Sequence, residues 1–156
     1  LTGEIYHFPI NTFEPDVLLS DGDVVTLGNT SIRFVSTPGH TDGTMSPFFD
    51  VTEDGVTYRV GMFGGAGVGS LQKAFLEERG LPTDCREKYV DSVKKLMNEK
   101  VDVFIGNHVW NNDTEGKIEK LGKSEKNPFV DPEEWQRFLE ARLEEVEELF
   151  KSDPLD

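Results

Sequence analysis

Short runs of β-branched and aromatic residues, separated by glycine-containing turns, occupy residues 24 to 63 and constrain the fold more than any other feature of the chain. Val24–Leu27 and Ile32–Val35 flank a Gly-Asn pair, which predicts a hairpin with a two-residue loop. Thr44–Val51 and Val56–Phe63 predict a second pair of strands around an Asp-Gly turn. This part of the chain therefore predicts an antiparallel sheet.

The pattern changes from strands to helices after the glycine-rich segment Gly64–Ser70. A helix is predicted over Leu71–Arg79, and a second helix from about Asp84 to Lys100 has its apolar residues on one face. Val101–Ile105 follows as a short and nearly all-apolar run, which is typical of a strand buried on both sides.

The last predicted element is an amphipathic helix. Asp131 is its predicted N-cap, Pro132 its first helical residue, and Glu134 follows the cap by three residues. Its apolar residues recur at spacings of three and four: Trp135, Phe138, Leu139, Leu143, Val146, Leu149 and Phe150. Antiparallel strands followed by helix, strand and helix predict an α/β layered fold, and 156 residues fit one domain.

Charge and composition exclude several classes of function. The chain carries 30 acidic and 16 basic residues, and a net charge of −14 argues against binding to nucleic acid or to an anionic membrane surface. No run of about 18 apolar residues is present, so no transmembrane helix is predicted. The single cysteine, Cys85, excludes an internal disulfide and a cysteine-rich zinc site. The substrate and the cellular compartment are not predicted.

Two of the three histidines follow predicted strands directly. His40 lies in a Pro-Gly-His-Thr turn, and His108 follows the strand Val101–Ile105. Loops at strand ends gather functional side chains, and imidazole nitrogen is a preferred zinc ligand, so both histidines are candidate metal ligands. His7 is predicted to be a loop residue near the rim of a pocket. Four aspartates could orient a ligand histidine or act as an acid or base: Asp42, Asp50, Asp102 and Asp113.

The segment Gly64–Ser70 supports a different hypothesis, a phosphate or nucleotide-binding α/β module. Backbone N–H groups of a glycine-rich loop between a strand and a helix can cradle a phosphate. The spacing of Gly65, Gly67 and Gly69 matches neither Gly-x-Gly-x-x-Gly nor a P-loop, which favours a tightly packed connection instead. A third hypothesis is a metal-free interaction domain.

Three motifs together resemble the C-terminal half of the metallo-β-lactamase superfamily: Asp16–Asp23, Thr37–Thr44 and Ile105–His108. Within that superfamily, the chain looks closest to the third metallo-β-lactamase subclass. The resemblance implies an αββα sandwich represented mainly by its C-terminal half, with an antiparallel or mixed sheet and flanking helices. It also implies that His40 is the third ligand of a first zinc and His108 the last ligand of a second. The implied reaction is hydrolysis of a small-molecule substrate by a metal-activated hydroxide.

The chain departs from the family pattern in its metal ligands. The motif His-x-His-x-Asp-His of the family's N-terminal half is absent from residues 1–156. Where many members carry a metal-bridging aspartate or substrate-binding serines, this chain has Gly64, Gly65 and Gly67. We therefore expect a single C-terminal portion of a domain, inactive as an isolated chain. We also expect its apolar sheet surface to pair with the missing N-terminal half or with a second copy.

Overall fold

The computed structural model describes residues 14–155, and a mixed five-stranded sheet forms its centre. The strands lie side by side in chain order: β1 (Val24–Leu27), β2 (Thr30–Ser36), β3 (Met45–Glu53), β4 (Val56–Gly61) and β5 (Val103–Phe104). β1 to β4 pair antiparallel, and β5 pairs parallel to β4. The predicted hairpins are confirmed, and the predictions for residues 1–13, including His7, lie outside the described residues.

One 3-10 turn and four α-helices complete the fold. The turn is Gly69–Leu71, and the helices are α1 (Lys73–Arg79), α2 (Cys85–Leu96), α3 (Thr114–Lys120) and α4 (Glu134–Ser152). α2 ends four residues before the predicted Lys100, because the Asn98 side chain donates to the carbonyl groups of Lys94 and Lys95 and closes the helix. No helix of the described residues is both long and apolar enough to span a membrane.

α3 has no counterpart among the predicted elements, because its sequence, Thr-Glu-Gly-Lys-Ile-Glu-Lys, lacks an apolar periodicity. Its attachment to α4 is ionic. Lys117 Nζ lies 2.5 and 2.6 Å from the two carboxylate oxygens of Glu134, and both side chains are largely buried. A buried charge requires such a partner, so this pair locates α3 on the body of the fold.

The predicted burial of Val101–Ile105 on both sides is wrong. Only Val103 and Phe104 pair in the sheet, and β4 is the only described strand beside them. Phe104 is buried, but Ile105 is 40% exposed. β5 is therefore an edge strand within the described residues, and an apolar composition alone did not reveal this.

The predicted start of the last helix is also corrected. α4 begins at Glu134, and Asp131 lies outside it. Asp131 Oδ1 nevertheless accepts the N–H of Glu133 at 3.0 Å, while the Glu134 carboxylate binds Lys117 instead of folding back on the Asp131 N–H. That N–H donates to the carbonyl of Asp102 at 2.9 Å. Asp131 thus stabilises the turn before α4 without forming a capping box.

The core lies between one face of the sheet and helices α2 and α4. Trp135 is completely buried, its ring meets Phe48 and Phe104 edge to face, and its indole N–H donates to the carbonyl of Leu96 at 3.1 Å. The predicted apolar faces of both helices are confirmed by their buried residues: Tyr89, Val93, Leu96, Trp135, Phe138, Leu139 and Val146.

The opposite face of the sheet is apolar and only partly covered. Strand pairing places these residues on it: Val25, Ile32, Phe34, Pro47, Phe49, Val51, Tyr58, Val60 and Val103. Within the described residues, none of them belongs to the core that the helices form. Val25 and Val51 are each 40% exposed. Strands with apolar residues on both faces are typical of a sheet that is covered on both faces.

Candidate functional site

His40 and His108, which are 68 positions apart in the chain, line the same cleft of about 320 Å³. The cleft opens where β2, β4 and β5 end. Its other lining residues come from the glycine-rich segment, the loop after β5 and helix α4: Gly64, Gly65, Ala66, Gly67, Asn107, Trp110, Asn111, Arg142 and Glu145. The two candidate ligands are thus brought together, and their binding of metal stays a prediction.

The His40 turn is fixed by close contact with α2. Gly39 has a φ of +136°, and a Cβ added there would lie 2.5 Å from the Tyr89 Cα. Only glycine accepts both the backbone angle and the contact. The base of the turn is closed by the Thr37 N–H, which donates to the Thr44 carbonyl at 2.9 Å, and the Thr37 and Ser46 hydroxyls lie 2.8 Å apart.

The His40 ring has a defined hydrogen-bonding state. Its Nδ1 lies 2.9 Å from the carbonyl oxygen of Gly67 and 3.0 Å from the Ser70 hydroxyl. Because a carbonyl only accepts, the contact with Gly67 requires a hydrogen on Nδ1, and the neutral tautomer with that hydrogen has its lone pair on Nε2. Metal-binding histidines commonly have this arrangement, with the distal nitrogen held by a backbone carbonyl.

The glycine-rich segment is packed against the His40 turn. A Cβ on Gly65 would lie 2.6 Å from the His40 Cβ, and a Cβ on Gly64 would lie 2.0 Å from the Met45 carbonyl oxygen. The Gly64 N–H already donates to the Ser46 hydroxyl at 3.2 Å. Close packing accounts for these glycines, and the histidines lie beside them in one cleft. Both observations favour a packed connection over a phosphate cradle.

His108 is held by its own loop and by one aromatic ring. Its N–H donates to the Asn111 side-chain oxygen at 3.1 Å, and the Asn111 N–H donates back to the His108 carbonyl at 3.0 Å. The imidazole stacks on Trp110, with ring centroids 4.3 Å apart and planes 9° apart. Trp110 is itself 72% exposed. The Asn112 side chain ties this loop to β5 through the Phe104 carbonyl at 2.9 Å.

None of the four candidate aspartates lines the cleft. Asp42 pairs with Lys88 at 2.9 Å, Asp50 pairs with Arg59 at 2.6 Å, and Asp102 accepts the Arg59 N–H at 2.8 Å. Asp113 precedes α3 in the left-handed region. The geometry therefore gives these aspartates structural contacts and offers no support for their suggested role beside the histidines.

Five polar or aromatic residues of the site were missed from the sequence: Ser70, Trp110, Asn111, Arg142 and Glu145. Trp110 lies two positions after His108, and that proximity was a usable signal. Arg142 and Glu145 lie on α4, more than 30 positions beyond His108, and no local pattern separates them from the other charged residues of that helix.

The described residues do not supply a complete metal site. They contain no group of three or more histidine, cysteine, aspartate or glutamate side chains that could hold a metal ion. Zinc in a catalytic site needs three protein ligands and a water molecule. His40 and His108 alone cannot complete such a site, and the described residues place no further metal-binding group beside them. Burial raises the pKa of the half-buried Cys85 thiol, so it is not activated as a ligand.

No family model and no curated protein matches the sequence. The structure, however, is similar to solved metallo-β-lactamases. BJP-1, a subclass B3 metallo-β-lactamase of Bradyrhizobium japonicum, is 23% identical with a TM-score of 0.83, over 95% of this chain and 55% of that protein. A mutant of the metallo-β-lactamase FEZ-1 from Legionella gormanii is 30% identical with a TM-score of 0.82, over 94% and 56%. The chain thus spans just over half the length of the solved structures that it matches.

Proposed function

The chain belongs to the metallo-β-lactamase superfamily, and we propose that it supplies the C-terminal half of a zinc-dependent hydrolase of that superfamily. One observation carries the proposal. His40 and His108, separated by 68 positions, line a single cleft in a fold that superposes on subclass B3 enzymes over 95% of its length. The His40 tautomer that donates from Nδ1 to the Gly67 carbonyl also presents the Nε2 lone pair that a metal ligand needs.

In this proposal His40 contributes one ligand to a first zinc and His108 one ligand to a second. A His-x-His-x-Asp-His motif in another part of the protein provides the other ligands. When bound, the metal supplies an activated hydroxide for attack on an amide or ester type bond of a small-molecule substrate. The residues of this chain orient one ligand for each ion and form one wall of the cleft. Gly65 and Gly67 carry no hydroxyl, so a β-lactam is not favoured over other substrates.

The isolated chain of 156 residues is proposed to be inactive. A single imidazole binds zinc weakly, and one protein donor for each ion leaves that ion mostly in water. Zinc content after dialysis is measured by mass spectrometry for the isolated chain and for the parent protein that includes the segment upstream of Leu1. We expect no stoichiometric zinc on the isolated chain and up to two ions on the parent. Tightly held zinc with hydrolytic turnover in the isolated chain would contradict the proposal.

The rival functions have distinct signatures. A phosphate- or nucleotide-binding module predicts nucleotide binding that is lost when the segment Gly64–Ser70 is altered. The packing of this segment against His40 argues against such a module. A metal-free interaction domain requires that the reading frame upstream of Leu1 lack the His-x-His-x-Asp-His motif. That upstream sequence therefore separates the hydrolase from the interaction domain before any assay is run.

The apolar sheet face also enters this proposal. It packs against the N-terminal half of the domain, and in the isolated chain it pairs with a second copy. Sedimentation velocity of the isolated chain is expected to show a dimer. Phe49→Glu, on the apolar face, is expected to convert this dimer to a monomer, whereas the matched control Asp50→Ala, on the other face, is expected to leave the dimer intact. A wild-type monomer at high concentration argues against pairing through this face.

A further inference from the structure

Arg86 is a buried charge that joins two distant parts of the chain. It lies near the start of α2 and is only 6% exposed. Its Nε donates to the Leu71 carbonyl at 2.8 Å, while Nη1 and Nη2 donate to the carbonyl and the carboxylate of Asp153 at 2.6 and 2.8 Å. The guanidinium also lies over the Phe150 ring, 5.0 Å from its centroid. Charge-assisted bonds from a planar guanidinium fix the positions of their acceptors, and a buried arginine is destabilising without them.

Asp153 holds the start of α1. It follows α4 directly, and its Oδ2 accepts the N–H of Lys73, the first residue of α1, at 2.6 Å. The first N–H groups of a helix have no acceptor within the helix, and Gln72 supplies no side-chain cap among the described residues. The residue after α4 therefore caps α1, and the Arg86–Asp153 pair holds the chain at both Leu71 and Lys73.

The segment held in this way is the 3-10 turn that contacts His40. The turn is Gly69–Leu71, and its last residue is completely buried. Ser70, directly before the residue whose carbonyl Arg86 binds, has its hydroxyl 3.0 Å from the His40 Nδ1. With the hydrogen on Nδ1, the hydroxyl oxygen is an acceptor. The Arg86–Asp153 pair is therefore connected to the imidazole through a single turn of backbone.

The other acceptor of the His40 hydrogen is held separately. The Gly67 carbonyl lies 2.9 Å from Nδ1, and the Tyr89 hydroxyl donates to the adjacent Ala66 carbonyl at 2.7 Å. Tyr89 thus fixes the middle of the glycine-rich segment, and the Arg86–Asp153 pair fixes its end. The ring orientation of a histidine ligand depends on such outer partners. Because the two supports contact different residues, one can be removed while the other is kept.

We propose that Arg86 and Asp153 are positioning residues for His40, because they hold the 3-10 turn so that the Ser70 hydroxyl stays against Nδ1. Neither of them is among the described residues that line the cleft, so both act through the turn and neither touches a ligand. The inference rests on the proposed function in one respect, since it takes His40 as a ligand of the first zinc. The position of the ring is a property of this chain and requires no metal.

The positioning is tested on the 156-residue chain without metal, by hydrogen exchange of the two imidazoles followed by nitrogen-15 NMR at a pH where both rings are neutral. Arg86→Gln is expected to make the His40 Nδ1 hydrogen exchange with water about fivefold faster, the change expected for the loss of one hydrogen bond. The His108 ring should not change. Asp153→Asn keeps an acceptor oxygen and removes the charge, so a smaller increase is expected. This second variant provides the test if Arg86→Gln fails to fold.

Arg33→Gln is the matched control for a general loss of stability. Arg33 also binds the carboxylate of a distant residue, Glu99, at 2.6 Å, and it also lies over an aromatic ring, 5.1 Å from the Phe48 centroid. Both of these contacts lie outside the segment Gly64–Ser70. Urea unfolding measures the stability of both variants, and Arg33→Gln is expected to leave the His40 exchange unchanged. Equal acceleration of that exchange by Arg33→Gln and Arg86→Gln overturns the inference.

The connection through Ser70 is tested by a double variant. Ser70→Ala removes the hydroxyl and is expected to reproduce the faster His40 exchange. Because Arg86 acts through Ser70 in this proposal, Arg86→Gln is expected to add little acceleration in the Ser70→Ala background. Fully additive effects of the two substitutions would show that Arg86 acts only on stability, and they would overturn the inference.

The consequence for metal binding is measured in the parent protein, as the dissociation constants of the two zinc ions. Arg86→Gln is expected to weaken binding of the first ion by about tenfold and to leave the second ion within about twofold. If the His40 exchange responds as expected but the parent binds no zinc, the positioning role is kept and the proposed function fails. If the parent binds zinc and hydrolyses a substrate while Arg86→Gln changes neither the His40 exchange nor the first ion, the proposed function is kept and the positioning role fails.

Discussion

The two histidines of the cleft are held in opposite ways. His40 lies in a turn pressed against α2, and its ring is fixed by the Gly67 carbonyl and the Ser70 hydroxyl. His108 lies in a surface loop, and its ring rests on Trp110, which is 72% exposed. The orientation of His40 is therefore set by the interior of this chain, whereas that of His108 depends on contacts at its surface.

Helix α2 explains the rigidity of the His40 side. The Ser92 hydroxyl donates to the Pro38 carbonyl at 2.7 Å, and the Tyr89 hydroxyl donates to the Ala66 carbonyl at 2.7 Å. Burial raises the pKa of Tyr89 above its usual range, so its hydroxyl keeps the proton that it donates. One helix thus supports both the turn that carries His40 and the glycine-rich segment that orients its ring. No helix supports the His108 loop in the same way among the described residues.

The largest expected effect follows from removing the imidazoles in the parent protein. His40→Ala is expected to lower kcat/KM by about 10³-fold, equivalent to about 4 kcal/mol, because the first zinc loses a pre-oriented ligand. His108→Ala is expected to act mainly on the occupancy of the second zinc. Steady-state kinetics and zinc content are measured on the same samples. Negligible effects of both substitutions would remove the metal assignment.

The next effect tests how firmly α2 holds the His40 turn. Gly39→Ala is expected to destabilise the chain by about 3 kcal/mol, since its Cβ would lie 2.5 Å from the Tyr89 Cα and its φ of +136° is strained for alanine. Gly43→Ala is the matched control in the same turn, because a Cβ there meets nothing within 4 Å. Urea unfolding measures both variants. Equal midpoints would show that the turn yields easily and that His40 is no better anchored than His108.

A smaller effect is expected from Trp110→Ala. The His108 ring loses its stacking partner, a contact of about 1 kcal/mol, while global stability changes little because Trp110 is mostly exposed. NMR relaxation of the two imidazoles is the measurement. The His108 ring should become mobile and the His40 ring should not change, which provides an internal control. An unchanged His108 ring would mean that its loop backbone alone fixes it, and the contrast between the two sides would be lost.

The sequence predicted the elements whose patterns are local. Gly28 and Asn29 between two β-branched runs predicted the first hairpin, and the spacing from Trp135 to Phe150 predicted α4, because strand and helix periods differ. His40 was also found from the sequence, because the Pro-Gly pair directly before it marks a turn after a strand. α3 escaped prediction because the pairing of Lys117 with Glu134, 17 positions later, is what locates it.

The site was only half predictable, because a cleft joins residues that are distant in sequence. Arg142 is 102 positions from His40, and the helical pattern of α4 assigns it only to a polar flank. The edge position of β5 depends in the same way on which strands surround it, so Ile105 gave no sign of its exposure. Local sequence patterns thus predict helices and strands, whereas the cleft depends on contacts between residues that are far apart in the sequence.

The smallest expected effect concerns Asp131, far from both histidines. A hydrogen bond from Arg137, together with the Glu133 N–H, lowers the pKa of its carboxyl from 3.8. A group whose pKa is lowered on folding stabilises the protein above its unfolded pKa, and that stability is lost as pH falls through the lower folded value. Asp131→Ala is therefore expected to cost about 0.5–1 kcal/mol at pH 7, and less as the pH falls below about 3.8, measured by urea unfolding. The substitution should leave zinc content and hydrolysis in the parent unchanged. If it altered either, the start of α4 would be coupled to the cleft through Arg142, and support for the site would extend beyond α2.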